Sequence, residues 1–248
     1  MVSETVPVLG VEVDALTAHD TIERITTAIR AGERLVVGHH NLHSVYLVHE
    51  QPELRRFYER ADVVYADGMP LVLASRLRGT GLQRDHRATM LDWIDPLLER
   101  SIAEGWTVYL LGSAPGVIDD AVAALTARHP DVRLAWHHGY FDVEGPANAE
   151  VIADINRVRP QLLLVGMGMP RQELWLADNA DALAVDVTVT VGGLFDYFAG
   201  VSATPPRWMG RVGLEWLGRL VADPRRLAHR YLVEPVLLAR LLARAHAR

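Results

Sequence analysis

QLLLVGMGMPRQELWL, residues 161–176, passes from an unbroken apolar run through Gly-Met-Gly-Met-Pro into a helical pattern. Apolar residues that do not alternate mark a strand covered on both faces, as in a parallel sheet between two helix layers. Pro170 suits the first turn of the helix that follows. The stretch predicts a strand, a short loop and a helix, and the same unit recurs along the chain. Further strands are predicted at 8–13 (VLGVEV), 35–39, 62–66, 106–112, 132–137 and 187–193, with helices near 17–31, 43–60, 69–78, 89–104, 115–128, 147–158 and 170–180. This alternation predicts an α/β fold: a Rossmann-like, mainly parallel sheet with helices on both faces. The 248 residues suffice for one large core, or for a core with a small appendage.

From Pro205 the strands stop. PPRWMGRVGLEWLGRL, DPRRLAHRYL and EPVLLARLLARAHAR read as helices alone, so residues 1–204 are expected to form the core and 205–248 a helical appendage. The chain has no lysine, and its 25 basic residues are all arginine. Nine of them (Arg207, Arg211, Arg219, Arg225, Arg226, Arg230, Arg240, Arg244 and Arg248) face only Glu215, Asp223 and Glu234 in the appendage, a net charge of +6 that leaves −12 on residues 1–204. Such a segment suits an anionic partner: a phosphate, lipid headgroups or the acidic body itself. In the last helix Arg240, Arg244 and Arg248 recur every four residues, opposite Leu237, Leu238, Leu241 and Leu242. A basic amphipathic helix of this kind lies in a membrane interface or packs its leucines on the core, and the arginine surplus favours the membrane.

Cysteine is absent, which excludes disulfides and thiolate chemistry and suits a reducing compartment. The opening MVSETVPVLGVEVDAL lacks the basic and apolar regions of a signal peptide, and no uncharged apolar run reaches the roughly 18 residues of a spanning helix. The expectation is a cytoplasmic protein peripherally associated with the inner face of the cell membrane, with no nucleic-acid partner. The oligomeric state stays open, a homo-oligomer included.

Ligands of parallel α/β sheets bind beyond the carboxyl ends of the strands, and four such loops carry chemistry here. In GHHN (38–41) His39 and His40 can meet phosphate or sugar, and Asn41 either contacts a ligand or caps the next helix. Adjacent histidines without a nearby carboxylate make a poor metal site. In YADGMP (65–70) Asp67 stands where a carboxylate can take a proton from an attacking hydroxyl. LLGSAPGV (110–117), with Gly112 and Ser113, opens a helix whose N–H groups suit a diphosphate or nucleotide, and GYFD, with Gly139 and Tyr140, closes over the same region. It matches neither the dinucleotide fingerprint nor the P-loop. In the fourth loop Gly166 and Gly168 let a ligand approach the backbone, Pro170 opens the helix, Arg171 can meet a phosphate and Gln172 a base or sugar, while Trp175 packs on the core. No Asp-x-Asp occurs; Asp142-Val143-Glu144 is the nearest approach, and neither a metal nor another cofactor is expected.

Several of these motifs coincide in order. They are ADG (66–68), R-A-T-x-x-D (87–92), LLGSAPG, GYF, G-x-G-x-P-R-Q-E-x-W, VGGLFDYFAG (191–200), GLEWLGRL and DPRRLAHRY. From about residue 8 to 233 the chain resembles the WecG/TagA/CpsF family, glycosyltransferase family 26. The resemblance implies an inverting, metal-independent transfer of a sugar, N-acetylmannosamine or a related hexose, from a UDP-sugar to a polyprenyl-diphosphate-linked sugar. It implies Asp67 as general base, Arg87 as the cleft arginine (expected to be catalytic by stabilising the departing diphosphate together with arginines of the appendage), Asn41 and Gln172 as polar contacts, and Gly68 and Thr89 within the substrate-binding motifs. Arg219, Arg226 and Arg230 resemble the arginines of an appendage that docks on the membrane and completes the site. The chain departs from the family pattern at His39-His40, where Thr-Pro is common, at Met90, where glycine is common, and at Ser202-Ala203-Thr204, which lacks a basic residue. Two other readings are a nucleotide-sugar-binding protein without catalysis and a nucleotide-cofactor oxidoreductase, the latter disfavoured by the missing fingerprint.

Overall fold

The computed structural model describes residues 4–206, 209–210 and 213–246, so Arg207, Arg211 and Arg248 lie outside the described residues. In chain order the strands are β1 (Thr5–Val8), β2 (Val11–Asp14), β3 (Leu35–His40), β4 (Val63–Ala66), β5 (Thr107–Gly112), β6 (Arg133–His137), β7 (Leu162–Gly166) and β8 (Val187–Thr190). They form one sheet in the order β1-β2-β4-β3-β8-β7-β5-β6, parallel except for β1. The α/β, mainly parallel expectation holds.

The helices are α1 (Ala18–Ala31), α2 (Leu42–Glu50), α3 (Arg55–Arg60), α4 (Met69–Arg78), α5 (Met90–Glu104), α6 (Val117–Arg128), α7 (Pro146–Val158), α8 (Arg171–Asn179) and α9 (Leu194–Phe198), followed by α10 (Glu215–Ala222), α11 (Pro224–Ala228) and α12 (Glu234–His246). β7 shows why its sequence does not alternate. Leu162 and Leu164 pack with Ile25 of α1, Leu97 of α5 and Phe195 of α9 on one face; Leu163 and Val165 pack with Ile155 of α7 and Trp175 of α8 on the other.

Two predicted elements are divided. The strand expected over 8–13 is a hairpin of β1 and β2, turning at Leu9 (φ 53°) and Gly10 (φ 82°). Two left-handed residues are what a two-residue hairpin needs, but Leu9 gives no local sign of that conformation. The helix expected over 43–60 breaks at Pro52, which lacks the N–H to continue it, and resumes as α3 after a 3₁₀ turn at Pro52–Leu54.

The last helix corrects the membrane reading of its leucines. Leu238 and Leu242 are buried with Val6, Val8 and Leu47, so α12 packs on the core while Arg240 and Arg244 face outward. The segment 205–248 is thus not set apart throughout, because its end belongs to a core layer. Leu238→Ala is expected to cost about 2–5 kcal/mol in chemical denaturation, the usual range for a buried leucine. Unchanged stability would show that this face does not hold the fold. No described helix is long and apolar enough to cross a membrane.

Candidate active site

The carboxyl ends of β3, β4, β5, β7 and β8 open into a cavity of about 700 Å³, roofed by residues of α10, α11 and the turn that follows. A second cavity of about 210 Å³ adjoins it and reaches between α4 and α10. Asn41, His43, Asp67, Thr89, Arg219, Arg230 and Tyr231 line both.

Asp67 follows β4, its N–H donating to the His40 carbonyl (2.7 Å). Gly68 comes next at φ 102°, ψ 152°, a conformation open essentially to glycine alone, and turns the chain into α4. Arg87 and Thr89 arrive alongside because Ala88 N–H donates to the Ala66 carbonyl (3.0 Å), extending the sheet by one bridge. Thr89 Oγ1 is buried without a hydrogen-bond partner among the described residues and belongs to a residue lining both cavities. A buried orphan hydroxyl at a cavity wall is a natural contact for a polar ligand. Asn41 caps the next helix, the second of its two readings, and also faces the cavities. Its Oδ1 accepts from Ser44 N–H (3.0 Å) as the N-cap of α2, and its residue lines both cavities.

The histidines differ. His40 is buried, stacks on Tyr58 and bonds Ser44 Oγ (3.0 Å), and burial pushes its pKa down to about 3, so it is a neutral core residue. His39 reaches the larger cavity, with Nδ1 3.1 Å from Thr190 Oγ1 and Nε2 4.0 Å from Asp67 Oδ2.

Ser113, Gly139, Tyr140, Gly166, Gly168 and Arg171 also line the larger cavity, but three expected contacts do not reach either one. Gly112 is glycine for packing: an added Cβ would lie 2.3 Å from the Gly166 carbonyl oxygen. Pro170 is the N-cap of α8. Gln172 is fully buried, its Oε1 accepting from Gly192 N–H (3.0 Å) and its Nε2 donating to Glu173 Oε1 (2.7 Å). Both ends of the amide are engaged inside the protein. Gly166 reaches the cavity, yet its missing side chain makes room for Phe195, whose ring would lie 2.6 Å from an added Cβ. Arg171 donates to the Phe141 carbonyl and lies over its ring, tying the 139–142 loop to α8. Trp175 is in the core as expected. Asp142 Oδ1 accepts from Glu144 N–H, a local turn, and among the described residues no three His, Asp or Glu side chains converge as a metal needs.

The start of α6 disappoints as a diphosphate cradle. Its first turn carries Asp119 and Asp120, and Asp119 already takes the Gly116 N–H (3.1 Å). Two carboxylates there repel an anion. Sequence reasoning also passed over Asp196, which lines the larger cavity and accepts from Ser113 Oγ (2.6 Å). Its signal was present in VGGLFDYFAG, a carboxylate shortly beyond a strand-ending Gly-Gly.

The C-terminal segment supplies the positive wall. Arg219, Arg226 and Arg230 line the larger cavity, Arg219 lying over the Tyr197 ring (5.2 Å) and Arg226 bonded to Asp223 (2.7 Å). Arg230 and Tyr231 sit on a π-helical turn, His229–Val233, a local distortion frequent at functional sites. Arg87 differs from expectation. It lines the smaller cavity, and its guanidinium bonds Asp92 (2.7 Å) and Glu215 (3.0 Å), while Arg219 bonds the other oxygen of Glu215. It braces α10 against the core. Glu234 adds a second brace, meeting His43 Nδ1 (2.6 Å) and His229 Nδ1 (3.4 Å).

Among the described residues Glu173, beneath the site, has no counterion. Burial raises its pKa from 4.5 to about 7. The neutral form is favoured in the fold, so stability falls as pH climbs from about 4.5, where the unfolded chain ionises, to about 7, where the folded one follows. The loss is about 3 kcal/mol by pH 8. Unfolding titrations of Glu173→Gln should lack this fall; an equal fall in both proteins would assign it elsewhere.

Residues 6–248 match the glycosyl transferase WecG/TagA/CpsF family. Proteins of Staphylococcus aureus strains NCTC 8325 / PS 47 and MRSA252, each named N-acetylglucosaminyldiphosphoundecaprenol N-acetyl-beta-D-mannosaminyltransferase, are 28% identical over 232 residues, covering 90% of this chain and 86% of theirs. The chain therefore belongs to the WecG/TagA/CpsF family and is a glycosyltransferase.

Proposed function

We propose that the protein transfers N-acetylmannosamine, or a related hexose, from a UDP-sugar to a polyprenyl-diphosphate-linked N-acetylglucosamine. The observation that carries the reading is the meeting of two cavities at Asp67, beneath Arg219 and Arg230. The larger holds the donor. Ser113 follows β5, four strands along the sheet from Asp67 after β4, a span of roughly 19 Å. The neutral nucleoside lies at that far end, where the Asp196 carboxylate and Tyr140 can take its hydroxyls and base. The diphosphate lies under Arg219, Arg226 and Arg230.

The acceptor sugar enters from the smaller cavity, past Pro70 and Trp216. Asp67 takes the proton from its hydroxyl as the oxygen attacks the anomeric carbon opposite the departing UDP, so configuration inverts. The arginines offset the charge developing on the leaving diphosphate without a metal ion, a reading supported by the three guanidinium groups that line one wall of the donor cavity. The lipid end of the acceptor stays in the bilayer. Leu217, Val221, Leu232, Val233 and Val236 are exposed on the same C-terminal segment and form its membrane contact, in place of the leucines of α12. The test is UDP release from a panel of UDP-sugars with a polyprenyl-diphosphate-N-acetylglucosamine analogue. Acceptor-dependent release from UDP-N-acetylmannosamine supports the reading, and no release with any donor refutes it.

A further inference from the structure

His39 is placed to do more than line the donor cavity. It is 5% exposed, and its ring stacks on Tyr65 of β4 at 5.6 Å, so its plane is fixed. On one side Nδ1 lies 3.1 Å from Thr190 Oγ1 of β8; on the other Nε2 points toward Asp67 Oδ2 at 4.0 Å. Three consecutive strands of the sheet, β8, β3 and β4, thus deliver Thr190, His39 and Asp67 in a row.

We propose that Thr190 and His39 form a positioning relay for Asp67: the Thr190 hydroxyl donates to Nδ1, which leaves the ring proton on Nε2 as the donor that holds one oxygen of the Asp67 carboxylate. The other oxygen is then free to face the acceptor hydroxyl. The row resembles a base oriented through a second hydrogen-bonding group, with the carboxylate as the base and the imidazole as its orienter. The ring stays neutral throughout, because burial lowers its pKa and Arg230 adds to that, against the opposing pulls of Asp67 and of the Thr190 backbone. No proton crosses the relay. The 4.0 Å gap is the kind that tightens to a hydrogen bond when substrate fills the site.

The charged and titratable groups around the pair are Tyr65 on β4, His40 next along β3, Arg230 on the π-helical turn and Arg219 of α10, which also senses Asp67. Among the described residues His39 is the basic side chain within 4.0 Å of the Asp67 carboxylate. A donor to the ionised form lowers a carboxyl pKa, so removing it raises that pKa.

The inference rests on Asp67 being the base, and the experiment separates the two. The acid limb of the kcat–pH profile, which reports the enzyme–substrate complex, is measured for wild type, Thr190→Val, His39→Leu, His39→Gln and Asp67→Asn, with circular dichroism confirming that each is folded. For His39→Leu the limb should move up by about one pH unit and kcat should fall about tenfold, with KM little changed. Thr190→Val should shift the limb in the same direction, and His39→Gln, whose amide N–H can reach Oδ2, should restore it. A limb that stays in place in His39→Leu while Asp67→Asn is inactive would overturn the relay alone. Full activity in Asp67→Asn would overturn the base assignment and the relay with it.

Discussion

Asp67→Asn should lower kcat by about 10²–10⁴-fold while leaving UDP-sugar binding close to wild type. The amide keeps the size of the carboxylate and removes only its basicity. Asp67 lines both cavities, which is where the proposed base must stand for a hydroxyl from one and an anomeric carbon from the other to meet beside it. Its surroundings favour an unaltered fold in the variant, since its main-chain bond to the His40 carbonyl does not involve the side chain. Isothermal titration with the UDP-sugar and a UDP-release assay check both halves. An Asp67→Asn enzyme at full rate would remove the base from the account.

Arg230→Gln should cost about 10²–10³-fold in kcat, the scale for removing one preorganised group that stabilises developing charge. Among the three cavity-lining arginines of the C-terminal segment, Arg219 commits a nitrogen to Glu215 and Arg226 one to Asp223, whereas Arg230 lies over the Tyr231 ring. Arg230 also lines both cavities and adds to the burial that depresses the pKa values of His39 and His43. The Gln variant should bind a neutral nucleoside as well as wild type does and bind UDP less well. Equal UDP affinity in wild type and variant would place the diphosphate elsewhere. Deleting the whole segment is a poorer test, because it would strip Leu238 and Leu242 from the core and unsettle the fold.

Much of the fold was legible because its signal is local. β7 is apolar at every position because helices cover both of its faces, and the glycine and proline punctuation around it marks the turn into α8. What was not legible depended on contacts distant in sequence. Periodicity in α12 defines a leucine face but not what meets it, and the partner turned out to be the β1–β2 hairpin and α2 rather than lipid. Gln172 looked like a ligand contact because its amide can make two hydrogen bonds to a base or sugar and it stands in the family's Pro-Arg-Gln-Glu block. Its actual partners are Glu173 and a backbone N–H twenty residues on, which no local pattern reveals.

The candidate site divides the same way. Asp67, Asn41 and Thr89 follow strand ends or strand-like bridges, where topology alone puts them at the cleft. Arg87 was legible as a site residue but not as a brace, because its partner Glu215 lies 128 positions away. Asp196 was passed over since a single carboxylate in an aromatic run resembles a surface residue until Ser113 is brought to it.

The proposed mechanism depends on the chain's own C-terminal arginines offsetting the leaving diphosphate in place of a bound ion. The direct measurement is the initial rate of sugar transfer with excess chelator, for wild type and for the Arg219→Gln/Arg226→Gln/Arg230→Gln variant. Wild type should keep its full rate in chelator, and the triple variant should lose at least about 10²-fold with or without added divalent metal. A wild-type enzyme that stops in chelator, or a triple variant that a divalent metal brings back to full rate, would contradict it.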